Sequence, residues 1–455
     1  MHLTRSSGSG RRSRLRVAWT SRTRRRTGIL AAVATVVASV AVGATTGAQA
    51  ATSEGLLCQT DPQQTFSLTA RSGYVTTPDG NSIYMWGYGM SSGRFQLPGP
   101  VLCVTAGSPV TVILHNTLPE ATSILFPGQK GVKANGNPAQ PQFVTDTTGT
   151  TSSLTSLVQA APADSGSVTY TFTAGSPGTY LYSSGTDVTK QQQMGLYGAL
   201  VVRPATAAGQ VNDRADSAFS PQHEYVYLLS EIDPEVHLAV ERSQPVDWAS
   251  YNARYYLING RSMPDTLAPN NASWLPNQPY GALVHIKPWD PVSNPLPAVI
   301  RYLNAGRVNY PFHPHGSDER VVNKDGHALQ GTGSTAPQDL SYLKYDIDVM
   351  PGQTVDALMD WRDVEHWDAL TNPIPTELPV ITDQLLVGAD TWFSESPYLG
   401  KQGTYPSNIT VNNQCGEYYH VAHSHALQQA TNYGAAFGGM MTVFRIDPPA
   451  GCPAS

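Results

Sequence analysis

Apolar and polar residues alternate over short stretches along most of the chain after residue 50, and longer runs with apolar positions three or four apart are absent. Period-two patterning of this kind belongs to β-strands with one buried face, not to amphipathic helices. Strands are predicted at 101–115 (VLCVTAGSPVTVILH), 167–172, 180–182 and 196–202. They resume at 224–230, 255–259, 282–287, 298–303, 342–349, 353–359, 417–422 and 440–446. Frequent glycine and proline (40 and 35 residues) supply the turns between them, and only 14% of residues are charged. The chain therefore reads as all-β, built from short strands and turns. Between the two sets of strands, PATAAGQVNDRADSAFS (204–220) is small and polar and reads as a linker. An irregular insert rich in Trp, Pro and acidic residues lies near 361–405.

The first fifty residues stand apart. Nine arginines and no acidic residue precede an apolar run from Ile29 to Gly43, and Ala48-Gln49-Ala50 is a small-x-small cleavage site. This is the pattern of a secretory signal, with an apolar run short for a membrane span. Arg25-Arg26 followed by Ile29-Leu30 loosely matches a twin-arginine signal. Export through that route, or through the general secretory one, is the expected localisation. Without the nine arginines, 19 basic side chains face 34 acidic ones. A mature chain this acidic, with no basic stripe, is not suited to nucleic acid. All four cysteines, Cys58, Cys103, Cys415 and Cys452, follow the cleavage site, and an even count in an exported chain reads as disulfides. Of the three pairings, Cys58–Cys103 with Cys415–Cys452 ties each chain end to a nearby strand.

The candidate chemistry lies in two histidine pairs 110 positions apart: His313 and His315 in YPFHPHG, and His423 and His425 in YYHVAHSHALQQ. On a strand, residues two apart share a face, so each pair presents two imidazoles together. Two such strands side by side would gather four nitrogens, a set that suits Cu(II) and is acceptable to Zn(II). The bland alternative is a pair of satisfied surface histidines on each strand. Met-rich and His-rich tracts, the mark of copper storage, are missing.

Beyond these pairs the chain resembles the multicopper oxidase superfamily, built from cupredoxin domains. The likeness is carried by residues 98–116, by TSILFPG (122–128) and by GTYLYSSGTDVTKQQQMGLYGALVV (178–202). It continues in NAGRVNYPFHPHGSDERVVNKD (304–325) and in 419–445, which includes HSH and GMMTVFR. The resemblance implies two cupredoxin-like Greek-key β-sandwich domains, at 51–204 and 215–449, with 205–214 as linker and 450–455 as a tail. It also implies copper held by four His-x-His pairs, two from each domain. In the first domain the expected pairs are replaced by Leu125-Phe126-Pro127 and Ser183-Ser184-Gly185, which leaves a mostly apolar wall. In the second domain both survive. The electron-transfer copper of the family is lost as well, since its cysteine falls at Ser424 and its histidines at Tyr310 and Gln429. A blue-copper site needs thiolate and imidazole, so the ordinary laccase relay cannot be assembled.

The expectation is thus an exported copper-binding protein with one residual four-histidine site, at the junction of the two domains or between the subunits of a homotrimer like those of two-domain relatives, and oxidoreductase activity on a small organic substrate. The alternative is a non-catalytic cupredoxin scaffold or envelope binding protein. Around the site, Met440 or Met441 falls where a weak axial ligand sits in relatives and reads as packing. His420 falls on the opposite strand face from His423. Asp318 and Glu319 read as solvated turn residues, and His366, between Glu365 and Trp367, as an exposed loop residue.

Overall fold

Burial on one face or on both decides which strands form the surface and which the middle of this protein. The computed structural model describes residues 54–149, 152–331, 338–362, 418–436 and 438–451, with the backbone of 386–387 and 390–391. Residues 1–53 (the expected signal among them), most of the insert, His366, Cys415 and Cys452 lie outside the described residues. No helix among the described residues is long and apolar enough to cross a membrane.

The strands before residue 204 form two main sheets, beside a two-stranded one of Gln142–Thr145 and Ser152–Ser156. One has the order Cys58–Gln59, Val101–Thr105, Tyr197–Arg203, Gly178–Ser183. The other runs Ser82–Met90, Thr65–Thr76, Pro109–Asn116, Gly166–Thr173, Lys130–Ala134, Asn137–Pro138. Sequence neighbours are often not sheet neighbours: Val101–Thr105 lies parallel to Tyr197–Arg203, and Thr65–Thr76 parallel to Pro109–Asn116. Crossings of this kind between packed sheets define a Greek-key sandwich. Its core is filled by Trp86, Tyr88, Leu114, Phe126, Tyr170 and Tyr182.

A second sheet pair follows. The larger sheet is centred on Glu319–Lys324, Thr354–Met359, Ala298–Asn304, Glu224–Ile232 and Tyr255–Ile258. The smaller has the order Val284–Ile286, Met441–Ile446, Tyr418–Ser424, Tyr310–Pro314, Ile347–Val349. Tyr227, Tyr302, Phe312 and Phe444 fill the space between them. Tyr227 and Tyr302 meet edge to face with ring centroids 5.6 Å apart.

A third apolar layer joins the two sandwiches. Leu181, Ala199 and Val201 on one side meet Val226, Leu228, Leu257 and Leu303 on the other. Glu224–Ile232 is consequently buried at every position, which is why its middle, Tyr225–Leu229, reads as a continuous apolar run. Charge is buried here too. Arg301 places Nε 2.7 Å from Glu224 Oε1 and Nη1 3.1 Å from Asp356 Oδ1. The same Nη1 donates to Thr179 Oγ1 at 3.0 Å, which brings the first sandwich into the network. Burial pushes the Glu224 carboxyl up, yet the guanidinium groups of Arg301 and Arg203 outweigh it and hold the group below its ordinary range.

The predicted strands recur with two subdivisions. The run at 101–115 turns over Ala106-Gly107-Ser108, where Gly107 takes φ 77°, and becomes Val101–Thr105 and Pro109–Asn116. The run at 342–349 divides into Tyr342–Lys344 and Ile347–Val349. The long Thr65–Thr76/Ser82–Met90 hairpin escapes the pattern because Ala70, Gly73, Gly87 and Gly89 break its apolar alternation. The short helix Pro234–Glu241 is likewise unforeseen; Pro234 starts it and the Asp233 side chain caps the Glu235 amide. Residues 204–220 carry Val211 and Phe219, both buried against Val299, Val322 and Leu358. The Cys58–Cys103 disulfide is formed, tying the first strand to the Val101–Thr105 strand.

His285 clamps the two described ends. Its Nδ1 lies 2.8 Å from Glu54 Oε2 and its Nε2 2.8 Å from Asp447 Oδ2. Burial alone would push the imidazole down, but the Asp447 and Glu54 carboxylates raise it to about 9.

Two outcomes are expected. Arg301→Met should cost about 3–5 kcal/mol of unfolding free energy in urea titration, because Glu224 and Asp356 keep their burial and lose their cation. A raised imidazole stabilises the fold fully below its ordinary 6.5 and loses that contribution as pH rises toward 9. The thermal advantage of wild type over His285→Gln should therefore shrink across that window, and a pH-independent difference would refute the clamp.

Candidate metal centre

The smaller sheet of the second sandwich carries both histidine pairs. In Tyr310–Pro314 the side chains of Tyr310, Phe312 and Pro314 point into the core, which leaves Pro311 and His313 on the outer face. In Tyr418–Ser424, Ala422 and Ser424 point inward and His423 outward. The strands run antiparallel with His313 directly opposite His423. The His315 amide donates to Val421 O at 3.0 Å and the His425 amide to Pro311 O at 2.7 Å, so the same register continues past both strand ends. Residues opposite one another on paired strands share a face, and all four imidazoles gather there. Beyond His315, Gly316 turns the chain at φ 82°; a Cβ on it would stand 2.4 Å from the His420 ring.

Ring centroids are 4.6 Å apart for His313 and His315, 5.3 Å for His315 and His423, and 5.2 Å for His313 and His425. His423 stands 6.0 Å from both His313 and His425. Imidazoles bound to one ion through nitrogens about 2.0–2.1 Å from it have centroids roughly 4.5–6 Å apart. His315 Nε2 and His423 Nε2 are 3.2 Å apart, a separation that two nitrogens on one tetrahedral or square ion share. In two of the rings Nδ1 meets a backbone carbonyl. His423 Nδ1 donates to Ser424 O at 2.9 Å, and His313 Nδ1 to Tyr345 O at 2.5 Å. A carbonyl can only accept, so both rings carry their proton on Nδ1 and present the Nε2 lone pair, as ligating histidines do. Burial, together with the three neighbouring imidazoles, lowers the pKa of His423 and keeps that lone pair free. The rings converge without forming a finished shell: among the described residues no three His, Cys, Asp or Glu side chains already hold their donors around one point. The ring spacing and the tautomers nonetheless fit a copper-type ion.

The positions where relatives carry further ligands are occupied by satisfied polar or core groups. Ser424 Oγ donates to Gln429 Oε1 at 2.5 Å, and Gln429 Nε2 to Asn309 O at 3.1 Å. Tyr310 donates to Glu231, whose Oε1 also accepts from Tyr251 Oη at 2.7 Å and from the Arg307 amide at 2.9 Å. In the first sandwich, Ser183 Oγ accepts from Gln192 Nε2 at 2.8 Å, and Ser184 Oγ donates to Gln191 Oε1 at 2.6 Å. Phe126 packs on Phe172 at 4.8 Å in the core. The wall expected to be apolar is thus half a hydroxyl–amide network.

His420 falls on the opposite face from His423, buried against Trp361. Met440 and Met441 are packing residues, buried in the second sandwich. Glu319 corrects the sequence reading: it is not a solvated turn residue but fully buried, accepting from Tyr302 Oη at 2.9 Å. Its strand enters the core immediately after the turn, and desolvation raises the carboxyl to about 8. The residue that the sequence did not single out is Asp346, which electrostatically faces His313 and His425. Burial and the nearby Asp348 raise its pKa. Pairing of Phe312 with Ile347 could have revealed it, but that register is not visible in the sequence.

Comparison with known proteins agrees with this architecture. Residues 76–207 match the family model described as multicopper oxidase. Among solved structures, the multicopper oxidase mgLAC aligns with a TM-score of 0.53 at 18% identity, covering 86% of this chain and 87% of that one. The blue copper oxidase of Nitrosomonas europaea aligns with a TM-score of 0.53 at 16% identity, covering 85% and 86%. A probable nitrite reductase-hydroxylamine oxidoreductase fusion protein of Kuenenia stuttgartiensis is 26% identical over 257 residues, which are 52% of this chain and 28% of that protein. The fold is that of cupredoxin-domain copper proteins. The stretch 76–207 is thus similar to a multicopper oxidase domain, and proteins of that family bind copper.

Glu319 yields a test of the core beneath the centre. A carboxyl raised from its ordinary 4.5 to about 8 destabilises the fold increasingly as pH rises between those values. Glu319→Gln should gain stability relative to wild type across that interval in thermal melts, with the difference levelling off above it. A flat difference would mean that Glu319 is not desolvated.

Proposed function

We propose that this chain is an exported copper-binding member of the superfamily, with a single centre on His313, His315, His423 and His425 and oxidoreductase activity on a small organic substrate. The observation that carries the reading is the convergence of all four imidazoles on one sheet face, with Nε2 lone pairs presented by His313 and His423. Copper supplies one-electron redox chemistry when bound. The protein's part is to hold the rings: Tyr345 O and Ser424 O fix two of them by their Nδ1 protons, and the strand register fixes their spacing. His425 is exposed and the other three half-buried, so a small substrate has access from the outer face. Nothing in the relatives points to zinc.

With no cysteine at position 424 and Tyr310 engaged by Glu231, any reaction proceeds without a thiolate relay. The division into domains at 51–204 and 215–449, cleavage after residue 50 and export through a secretory or twin-arginine route belong to the same reading. A homotrimer, in which a neighbouring copy covers the histidine face, is the assembly it favours.

The satisfied networks at Ser424–Gln429 and Ser183–Gln192 support a second reading, a non-catalytic cupredoxin scaffold or envelope binding protein. Elemental analysis of purified, copper-loaded mature protein separates the two. Wild type should retain copper after desalting, and the double variant His313→Ala/His423→Ala should lose it. Copper-free wild type, or undiminished copper in the variant, sinks the metal reading. Oxygen uptake with phenols by the loaded protein would exclude the scaffold.

A further inference from the structure

The outer face of the histidine sheet extends one strand further than the two histidine strands. Ile347–Val349 pairs with Tyr310–Pro314 on the side away from the second histidine strand, with Tyr310 opposite Val349, Pro311 opposite Asp348 and Phe312 opposite Ile347. One step along that register sets Asp346 beside His313, which is itself opposite His423. The row across the sheet therefore reads His423, His313, Asp346. The adjacent row reads His425, Pro311, Asp348. Ile347 and Val349 point into the core, so Asp346 and Asp348 share the outer face with the four imidazoles.

The two carboxylates are not equivalent. Asp348 is exposed, whereas Asp346 is half-buried and its Oδ1 is fully enclosed with no hydrogen-bond partner among the described residues. An enclosed carboxylate oxygen without a donor is costly, and such atoms are rare unless something else satisfies them. The groups around Asp346 are the His313 and His425 imidazoles, Lys344 and Asp348. The preceding residue, Tyr345, holds His313 through its carbonyl. The Tyr345-Asp346 pair thus contributes one group that orients an imidazole and one anionic oxygen with no partner of its own.

We propose that Asp346 is the carboxylate ligand of this centre, making it a mixed imidazole–carboxylate site that favours divalent over cuprous copper. The inference rests on the four-histidine reading and adds to it the identity of the oxygen donor and the oxidation state the site prefers. Carboxylate oxygen and imidazole nitrogen in a tetragonal set suit Cu(II), while Cu(I) is selected by soft sulfur ligands; the thioether nearest in register, Met441 opposite His423, is buried in an apolar cluster with Met263, Leu267 and Val443. An anionic ligand also offsets one of the two charges brought by the ion.

The test is a pair of affinities measured by chelator competition, one for Cu(II) and one for Cu(I) under reductant, together with the Cu(II) electron paramagnetic resonance spectrum. Wild type is compared with Asp346→Asn, Asp348→Asn and His313→Ala/His423→Ala. Asp346→Asn should weaken Cu(II) binding about 10–100-fold, leave Cu(I) binding unchanged and alter the Cu(II) spectrum. That loss corresponds to a reduction potential raised by roughly 60–120 mV at 59 mV per tenfold for one electron. Asp348→Asn, which removes the same charge from an exposed position, should change Cu(II) affinity less than about threefold. If Asp346→Asn matches wild type, or Asp348→Asn matches Asp346→Asn, the carboxylate is not a ligand and the proposal falls while the histidine reading stands. If the histidine double variant binds copper as tightly as wild type, both fall.

Discussion

The antiparallel register between Tyr310–Pro314 and Tyr418–Ser424 is the constraint on which the centre depends. A slip of one residue would turn His313 and His315 into the core and bring Phe312 and Pro314 to the surface, since side chains alternate with a period of two. Burial of Tyr310, Phe312, Ala422 and Ser424 opposes that slip. The geometry of the imidazoles is therefore maintained by the apolar face on the other side of the same strands. Tyr227, Tyr302 and Phe444, packed against Phe312, act on the site through the sheet without touching it.

The second constraint lies between the sandwiches. The interface combines a dry apolar layer with the Arg301–Glu224–Asp356 network, in which Thr179 of the first sandwich takes part. Buried ion pairs of this type add little net stability when intact and are costly when broken. Their effect is to specify one relative placement of the sheets. Apolar surfaces alone tolerate sliding, whereas a guanidinium with three oxygen partners does not.

Replacement at the lost ligand positions has followed a consistent physical rule. A buried site that no longer holds a metal must satisfy its polar groups in another way. Ser424 and Gln429 do so with each other and with the Asn309 carbonyl, Tyr310 does so with Glu231, and Ser183 with Gln192. The four histidines of the second sandwich instead converge on the outer face of one sheet. Nδ1 is engaged by a backbone carbonyl at His313 and at His423, and the Nε2 atoms of His315 and His423 stand 3.2 Å apart.

Many strand positions, the pairing of Cys58 with Cys103 and the two His-x-His pairs were legible in the chain, because period-two patterning and residue spacing are local properties; the Thr65–Thr76/Ser82–Met90 hairpin was not. The same patterning placed His420 on the face opposite His423. Glu319 was misread for a related reason: a charged residue three positions past Gly316 looks like turn chemistry, and only the packing of its strand against Tyr302 shows it to be buried. Asp346 lay within a predicted strand but drew no notice, since its place beside His313 follows from pairing between segments more than thirty residues apart. The sequence by itself determined an all-β cupredoxin chain and which four imidazoles share strand faces. Only the tertiary structure decided that those faces meet, which carbonyls orient His313 and His423, and that Asp346 lies beside His313, because strand register is settled by core burial across the whole sheet and not by the residues it aligns.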